Sequence, residues 1–269
     1  SILGISAPSP IPSTTVPAHS ISSPHDDQSG LDEEGRLTHT DTADNLVKQL
    51  TGASATVLSA TSTQKKQSQR LAFALSDITL TASNQFGYSA EEVLKVCQSL
   101  YEKHKLTTYP RSDCAYLPES QFSDGTATLE AVKQINPELA SLIDNADTRI
   151  KSKIWNDKKV TAHHGIIPTM HIADKAALSE AECNIYNLIV RAYIAQFYPE
   201  HEYASSKITF DIGGEQFITT GKVITLNGWK EVYQTDDKED KPEAEQALPP
   251  LSKGDELTCQ SVTRKDAKT

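Results

Sequence analysis

The spacing of apolar residues changes twice along this chain, and this change constrains the fold more than any other feature. Between residues 71 and 200, apolar side chains recur at helical spacing, as they do from Val93 to Tyr101. Strand-like segments flank this region at residues 53–61 and 208–212, where small, β-branched or alternating apolar residues prevail. The pattern predicts an α+β chain in which a helical domain is inserted into a split antiparallel β domain.

The same pattern sets the expected domain limits. We expect a β domain in two halves, residues 31–70 and 201–269, around a helical domain of residues 71–200. An Asn-Gly turn in the second half predicts a further strand from Trp229 to Tyr233. Residues 1–30 are rich in Pro and Ser and show no periodicity, which predicts a disordered tail.

Capping residues predict where the helices begin and end. Ser89 and Ser179 each open a capping box, with a glutamate three positions later. Ser76 is expected to cap the preceding helix, which ends at Gly87. That helix should place three residues near the core: Ile78, Leu80 and Ala82. Helix, turn, helix and a short β-prone segment are typical of a winged helix-turn-helix module, but a simple helical hairpin has the same spacing.

The net charge of −10 counts against nucleic-acid binding when it is averaged over the chain. However, acidic residues are concentrated at Asp26–Glu34 and Asp236–Glu245, whereas residues 149–159 carry five positive side chains and one negative. These five are candidate phosphate contacts or merely a solvated face: Arg149, Lys151, Lys153, Lys158 and Lys159.

The cysteines and the apolar content indicate the compartment. The four cysteines lie far apart, and no CxxC or Cys/His spacing predicts a metal site. There is neither an apolar run of about 18 residues nor a signal peptide, so no membrane association is expected. These features predict a protein of a reducing, cytoplasmic compartment.

Two separated motifs carry a resemblance to a known family. The segment Thr108-Tyr109-Pro110-Arg111-Ser112-Asp113, followed by Tyr116-Leu117-Pro118, resembles the active-site signature of bacterial type IA DNA topoisomerases, in the form found in topoisomerase III. The segment from Thr161 to Thr169 is similar to the family's histidine-containing segment, with Gly165 where alanine is expected. The resemblance covers roughly residues 31–266 and does not extend to residues 1–30.

The residue types in the motifs suit attack on a phosphodiester. A tyrosine hydroxyl has a pKa near 10 and needs neighbours that stabilise the charge on the phosphate. Arg111 lies two positions after Tyr109, so in an extended segment both point to one side, and a guanidinium can grip a phosphate with two hydrogen bonds. We predict Tyr109, Arg111 and His163 as catalytic residues, with Asp113 orienting Arg111 and His164 as weaker support. A tyrosine buried beside a proline turn is the alternative for Tyr109.

The resemblance implies a central fragment of a monomeric topoisomerase. It implies a covalent 5′-phosphotyrosine link to single-stranded DNA, strand passage and resealing, in the bacterial nucleoid. It also implies that the helical domain has a fold similar to the catabolite activator protein and that the β domain acts as a gate. The TOPRIM domain, through which such enzymes use Mg²⁺, has no counterpart here, so this fragment would have no cofactor of its own, would need the remaining domains and would be inactive alone. Two alternatives remain: a non-catalytic DNA-binding module that uses the helix-turn-helix, and an inert truncated remnant.

Overall fold

A computed structural model describes residues 2–6, 16–20, 45, 47–233 and 246–263. The chain divides into two compact units. The first, the barrel unit, comprises Ser1–Lys65, Tyr203–Thr225 and Ala244–Thr269. The second, the helical unit, comprises Lys66–Glu202 and Leu226–Glu243. The α+β composition expected from the sequence is confirmed.

Six antiparallel strands form the barrel in the order β1-β2-β5-β4-β3-β6. Their bounds are β1 Ile2–Ser6, β2 Val16–Ser20, β3 Ser54–Gln67, β4 His201–Ile212, β5 Glu215–Leu226 and β6 Glu256–Thr263. Strand β6 pairs with both β1 and β3, and β2 pairs with β5. The barrel core is made of apolar side chains from these strands and from helical residues 47–50, among them Leu50, Phe210 and Phe217. At residues 208–212 of β4 and 256–260 of β6, buried side chains alternate with more exposed ones, in agreement with the period-2 pattern of the sequence.

Two barrel strands lie within residues 1–30, where the sequence predicted a disordered tail. Strand β1 pairs with β2 from Ile2↔His19 to Ile5↔Val16, and Ala18 is fully buried in the barrel core. The prediction fails for these two strands because each has only five residues, too few to display a period against a Pro-rich background. Closing a barrel pairs the strand edges that would otherwise stay open. The two acidic segments and the rest of the Pro-rich region lie outside the described residues.

Five α-helices build the described part of the helical unit: α1 Leu75–Phe86, α2 Ala90–Glu102, α3 Gly125–Ile135, α4 Ala140–Asp144 and α5 Glu180–Ile194. The capping boxes at Ser89 and Ser179 are confirmed: each hydroxyl accepts the amide of the glutamate three positions on, and that glutamate accepts the serine amide. Gly87 ends α1 with φ of 74°, as expected. Helices α2 and α5 pack on each other, and their buried faces belong to one large core.

The first helix departs from the sequence prediction in two respects. It begins at Leu75 after Ala74 rather than after Ser76, because the amide of Leu75 donates to the carbonyl of Ser112 at 2.9 Å and Asp77 accepts the amide of Ala74 at 3.2 Å. Leu80 is 64% exposed, although it was expected near the core. The alternation Ile78, Leu80, Ala82 spans more than one helical face, so only the first and last of these reach the core.

Residues 228–233 form a 3₁₀ helix, Gly228–Tyr233, instead of the expected strand. The indole of Trp229 donates to the carbonyl of Gln67 at 2.9 Å, and Trp229 and Val232 are buried in the core of the helical unit. The Asn-Gly turn is real, with Gly228 at φ of 56°, but the aromatic residues after it pack on helices. This packing places Leu226–Glu243 in the helical unit, whereas the sequence had assigned all of residues 201–269 to the β domain.

Candidate functional site

After α2 the Tyr109 segment bends at Thr108, Pro110 and Arg111, and its side chains alternate between buried and exposed. Tyr109, Arg111 and Asp113 are exposed, whereas Pro110, Ser112 and Cys114 are buried. Tyr109 itself is 39% exposed, so it is not the buried tyrosine of the structural alternative. The buried residues anchor the segment: the carbonyl of Ser112 accepts from the first residue of α1, and the Cys114 thiol contacts the carbonyl of Lys159 at 3.4 Å. Three polar side chains therefore face solvent from a fixed backbone.

Backbone pairing brings the histidine motif beside this segment. Thr107 and Pro168 form an antiparallel bridge, and the amide of Thr108 donates to the carbonyl of Ile167 at 3.0 Å. As a result, the ring centroids of Tyr109 and His163 lie 4.6 Å apart with an interplanar angle of 36°. The two motifs that the sequence could only place in order along the chain are thus adjacent in space.

Gly165 lies where the two motifs pack closely against each other. Its amide donates to the carbonyl of Tyr116 at 2.8 Å, and its carbonyl accepts the Thr108 hydroxyl at 3.3 Å. A Cβ at this position would meet the Cβ of Ala72 at 2.9 Å and the backbone of Ala115 at 3.2 Å. The space that the expected alanine would need is filled by these neighbours.

Arg111 and Asp113 do not pair with each other in the described part of the chain. The Asp113 carboxylate accepts the Thr161 hydroxyl at 3.1 Å and so ties the two motifs together. Among the residues that the structure describes, the Arg111 guanidinium makes no hydrogen bond or ion pair, which leaves its donors facing solvent next to a shallow cavity formed with Leu75 and Ser76. Asp113 therefore holds the motif through Thr161 instead of orienting Arg111 as expected.

Both ring nitrogens of His164 are hydrogen-bonded within the protein instead of facing solvent. Its Nδ1 donates to the carbonyl of Gly165 at 2.8 Å, and its Nε2 accepts from the side-chain amide of Gln121 at 3.2 Å. These two bonds fit the neutral ring with the proton on Nδ1. His164 is half-buried and fixes the loop, whereas His163 presents its ring to Tyr109.

The four predicted DNA-binding lysines are all exposed but differ in their contacts. Lys151 pairs with Glu119 at 2.7 Å, which offsets its charge. Lys159 donates to the Tyr116 hydroxyl at 3.1 Å, and its Nζ lies 4.7 Å from the centre of that ring. Lys153 and Lys158 have no ion pair within the described residues. The segment thus offers two unpaired ammonium groups and one held against an aromatic ring.

Sequence reasoning missed Tyr101 as a neighbour of the site. The ring of Tyr101, in the last turn of α2, meets the Tyr109 ring edge-on with 5.8 Å between centroids and an interplanar angle of 86°. Its position on the apolar stripe of α2 indicated a core residue, but Tyr101 is 36% exposed. No spacing rule links residues that meet across a turn of this kind.

A buried polar cluster supports the helices behind the site. The Glu182 carboxylate accepts the Ser99 hydroxyl at 2.6 Å and the Ser179 amide at 2.7 Å, and lies 3.2 Å from Nε2 of His104. Burial acts to raise the pKa of Glu182, but the bonds from Ser99 and Ser179 and the nearby His104 outweigh it and lower the pKa to about 2. The cluster joins α2 to α5 directly before the chain turns towards Tyr109.

Among the described residues, the predicted site residues neither belong to a metal-binding cluster nor line the larger cavity of the helical unit. Within the described ranges, no group of three or more His, Cys, Asp or Glu side chains lies close enough together to hold a metal ion. A larger cavity of about 650 Å³ lies between Arg70–Phe73, α1 and α5. None of the predicted site residues lines that cavity. None of the helices that the structure describes is both long enough and apolar enough to span a bilayer.

The helical unit carries an exposed tyrosine whose ring lies 4.6 Å from that of a histidine, and the matches to known proteins place the chain among the type IA DNA topoisomerases. A family model described as DNA topoisomerase matches residues 14–269, and the chain belongs to that family. DNA topoisomerase 3 of Vibrio cholerae is 40% identical over 238 residues, which are 88% of this chain and 36% of the relative. DNA topoisomerase 3 of Bacillus subtilis is 35% identical over 245 residues, 88% of this chain and 34% of the relative.

The fold is similar to that of a solved relative. Full-length topoisomerase I from Thermotoga maritima matches with a TM-score of 0.59 at 16% sequence identity, over 91% of this chain and 37% of that chain. The family match begins at residue 14, inside the segment that the sequence had set apart as a tail. The chain spans about a third of the length of the curated relatives it matches.

Proposed function

We propose that this chain carries the strand-cleaving tyrosine of a type IA topoisomerase and that Tyr109 forms a transient 5′-phosphotyrosine link with single-stranded DNA. The observation that carries the proposal is the exposed Tyr109 phenol, whose ring lies 4.6 Å from that of His163, with an exposed Arg111 two positions further along the chain. A solvent-facing tyrosine held by two paired backbone segments suits a nucleophile better than a packing role.

The proposed cleavage is an in-line displacement at phosphorus. The Tyr109 oxygen forms a bond to the scissile phosphorus, the bond from phosphorus to the 3′ oxygen breaks, and that oxygen leaves as a hydroxyl after taking up a proton. His163 accepts the phenolic proton, since an imidazole nitrogen can act as a base and the His163 ring lies against the phenol. Resealing reverses these steps, so the strand is restored with no net consumption of a cofactor.

Arg111 stabilises the charge on the non-bridging phosphate oxygens. Its guanidinium has no partner among the described residues and can therefore donate two hydrogen bonds to one phosphate. Lys153 and Lys158 extend the positive surface along the bound strand. Lys159 and Lys151 add to this surface, although Lys159 also donates to the Tyr116 hydroxyl and Lys151 also pairs with Glu119. Asp113 and His164 support the site by holding the histidine segment.

The remaining elements have proposed roles at the level of the whole enzyme. The helices α1 and α2 with the Tyr109 segment are proposed to form a winged-helix module similar to the catabolite activator protein, and the barrel unit is proposed to act as the gate through which a second strand passes. The proposed partners are single-stranded DNA and the other domains of the same topoisomerase, acting as a monomer in the cytoplasm. Mg²⁺ would act through a TOPRIM domain, and no step proposed for the described residues passes through a metal.

A trapping assay tests the proposal directly. The chain is mixed with Mg²⁺, a separately produced TOPRIM fragment of a DNA topoisomerase 3 and a single-stranded oligonucleotide labelled at its 3′ end. A 5′-phosphotyrosine link leaves the 3′ label on the protein, while a 5′ label is released on a shorter strand. We expect the labelled adduct to disappear in Tyr109→Phe and to persist in Tyr88→Phe, which removes a hydroxyl that accepts a bond from Asn184.

The other outcomes separate the competing functions. DNA binding without an adduct supports a non-catalytic DNA-binding module. Neither binding nor adduct supports an inert remnant. An adduct that survives Tyr109→Phe refutes Tyr109 as the nucleophile.

A further inference from the structure

Tyr101 lies beside Tyr109 because of an unusual turn between them. Lys105 has φ of 56° and is the only non-glycine residue with positive φ in the described ranges. Two hydrogen bonds fix the change of chain direction at Lys105. The Leu106 amide donates to the Leu100 carbonyl at 2.9 Å, and the Thr169 hydroxyl donates to the Lys105 carbonyl at 2.6 Å. A left-handed conformation at a lysine persists only where surrounding bonds fix it, and here it returns the chain alongside the end of α2.

Tyr101 does not belong to the buried core of the helical unit or to the residues packed against it. Its neighbours on the same helix, Val93, Cys97 and Leu100, are fully buried, whereas Tyr101 is more than one third exposed. Its described ring contacts are the edge-on approach to Tyr109 and the Lys105 ammonium, whose Nζ lies 6.0 Å from the ring centre. The Tyr101 ring therefore lies at the surface with its edge against the ring of the proposed nucleophile, in an arrangement that aromatic pairs prefer.

Edge-on contact restricts where the phenol of Tyr109 can point. Tyr109 is exposed and has no hydrogen bond from its hydroxyl among the described residues, so its orientation depends on the rings around it. His163 contacts it at an interplanar angle of 36° and Tyr101 at 86°, two different approaches to one ring. Together they oppose rotation of the side chain into solvent.

We propose that Tyr101 is a positioning residue, which acts through its ring to hold the Tyr109 phenol in the orientation from which it attacks phosphorus. The inference rests on the proposed function of Tyr109. The aromatic ring of Tyr101, and not its hydroxyl, holds the Tyr109 phenol in place. Phenylalanine at position 101 should therefore preserve the positioning, whereas leucine should not. One edge-on ring contact shifts an orientation equilibrium by roughly twofold to tenfold, and the rate of adduct formation is expected to fall by that factor without the ring.

The first measurement needs no DNA and uses the whole chain. Ring-labelled tyrosine gives nine sets of NMR signals, and the set lost in Tyr109→Phe identifies Tyr109. In Tyr101→Leu the Tyr109 ring signals are expected to move, because the ring current of Tyr101 is gone and the orientations of the phenol broaden. In Tyr101→Phe they are expected to stay close to their original positions. Unchanged Tyr109 signals in Tyr101→Leu would overturn the inference.

The second measurement uses the trapping assay at saturating oligonucleotide. Tyr101→Leu is expected to form adduct roughly two to ten times more slowly with an unchanged dissociation constant for DNA, and Tyr101→Phe at the original rate. Phe86→Leu is the matched control, since Phe86 is 37% exposed, pairs with Tyr88 and does not contact Tyr109. Equal unfolding midpoints for the three variants exclude a general loss of stability.

The outcomes distinguish the two proposals. If the unaltered chain forms no adduct, the proposed function fails, and with it the positioning role. If the unaltered chain forms adduct and Tyr101→Leu forms it equally fast, only the inference about Tyr101 fails. A loss of DNA affinity without a change of rate at saturation also contradicts positioning, since it assigns Tyr101 to binding.

Discussion

Replacing Gly165 with alanine tests whether the two motifs are packed as tightly as the structure indicates. The new Cβ would lie 2.9 Å from the Cβ of Ala72 and 3.2 Å from the carbonyl carbon and oxygen of Ala115. Carbon atoms prefer separations of about 3.5–4.0 Å, so neighbouring backbone must move by several tenths of an ångström. All of these neighbours are backbone or Cβ atoms, which no side-chain rotation can displace.

The magnitude follows from two opposing effects. Overpacking a filled site costs about 1–3 kcal/mol of unfolding free energy, while replacing glycine restricts the unfolded chain and returns about 0.4–1 kcal/mol. The backbone of Gly165 is not in the left-handed region, so no conformational strain adds to this. We expect Gly165→Ala to lower the free energy of unfolding by about 1–2 kcal/mol.

Tryptophan fluorescence during urea unfolding measures the loss of unfolding free energy in the helical unit, which contains Gly165. The chain has two tryptophans, Trp155 and Trp229, and both are buried in the core of the helical unit. The transition that they report is therefore that of the unit containing the site. Adding Ala72→Gly to Gly165→Ala removes the closest contact, so the double variant should recover part of the loss, as a double-mutant cycle can show.

The same substitution should disturb the site. The Gly165 carbonyl accepts the Thr108 hydroxyl, so a shift at Gly165 reaches the residue next to Tyr109. We expect slower adduct formation in Gly165→Ala than in Gly87→Ala, which has open space around its Cβ position and loses stability only through its positive φ of 74°. A Gly165→Ala variant as stable as the original chain, with no coupling to Ala72→Gly, would refute the tight packing.

Four further results are expected. The pKa of Glu182 is lowered to about 2 from its ordinary 4.5, so the contribution of this carboxylate to stability is present above pH 4.5 and is lost as the pH falls towards 2. The stability of Glu182→Gln, measured by fluorescence, should therefore change less between pH 4.5 and pH 2 than that of the original chain. Equal acid sensitivity of the two chains would contradict the lowered pKa of Glu182. Leu100→Ala should cost about 2–5 kcal/mol because the side chain is fully buried, whereas Leu80→Ala at an exposed position should stay within about 0.5 kcal/mol, as urea unfolding can compare. Ser89→Ala removes a formed capping box and should cost about 1 kcal/mol in the same assay, and no loss would mean that the cap is unimportant. Arg111→Lys keeps a charge but not the two-donor fork, so the trapped adduct should fall while overall DNA binding changes less; an unaltered yield would argue against a two-bond phosphate grip.

Local sequence rules succeeded where the cause is local. The capping boxes at Ser89 and Ser179 and the left-handed Gly87 depend on residues within one helical turn, so the sequence alone predicted them correctly. They failed at Ser76 and at residues 229–233, where bonds from distant segments decided the result. In each case a long-range partner, the Ser112 carbonyl or the Gln67 carbonyl, selected a structure that propensity did not favour.

For the site, the sequence by itself supplied the residue types and an alternating pattern of exposure around Tyr109. Residue types and alternation indicated a phenol and a guanidinium on the same side of an extended segment, and Tyr109 and Arg111 are both exposed with buried residues between and after them. Only the tertiary structure decided which other groups surround that phenol. His163 arrives through backbone pairing and Tyr101 through a strained turn, and these placements depend on contacts between segments that no local pattern encodes. Period and propensity act over a few residues, whereas the environment of Tyr109 is set by packing across the whole helical unit.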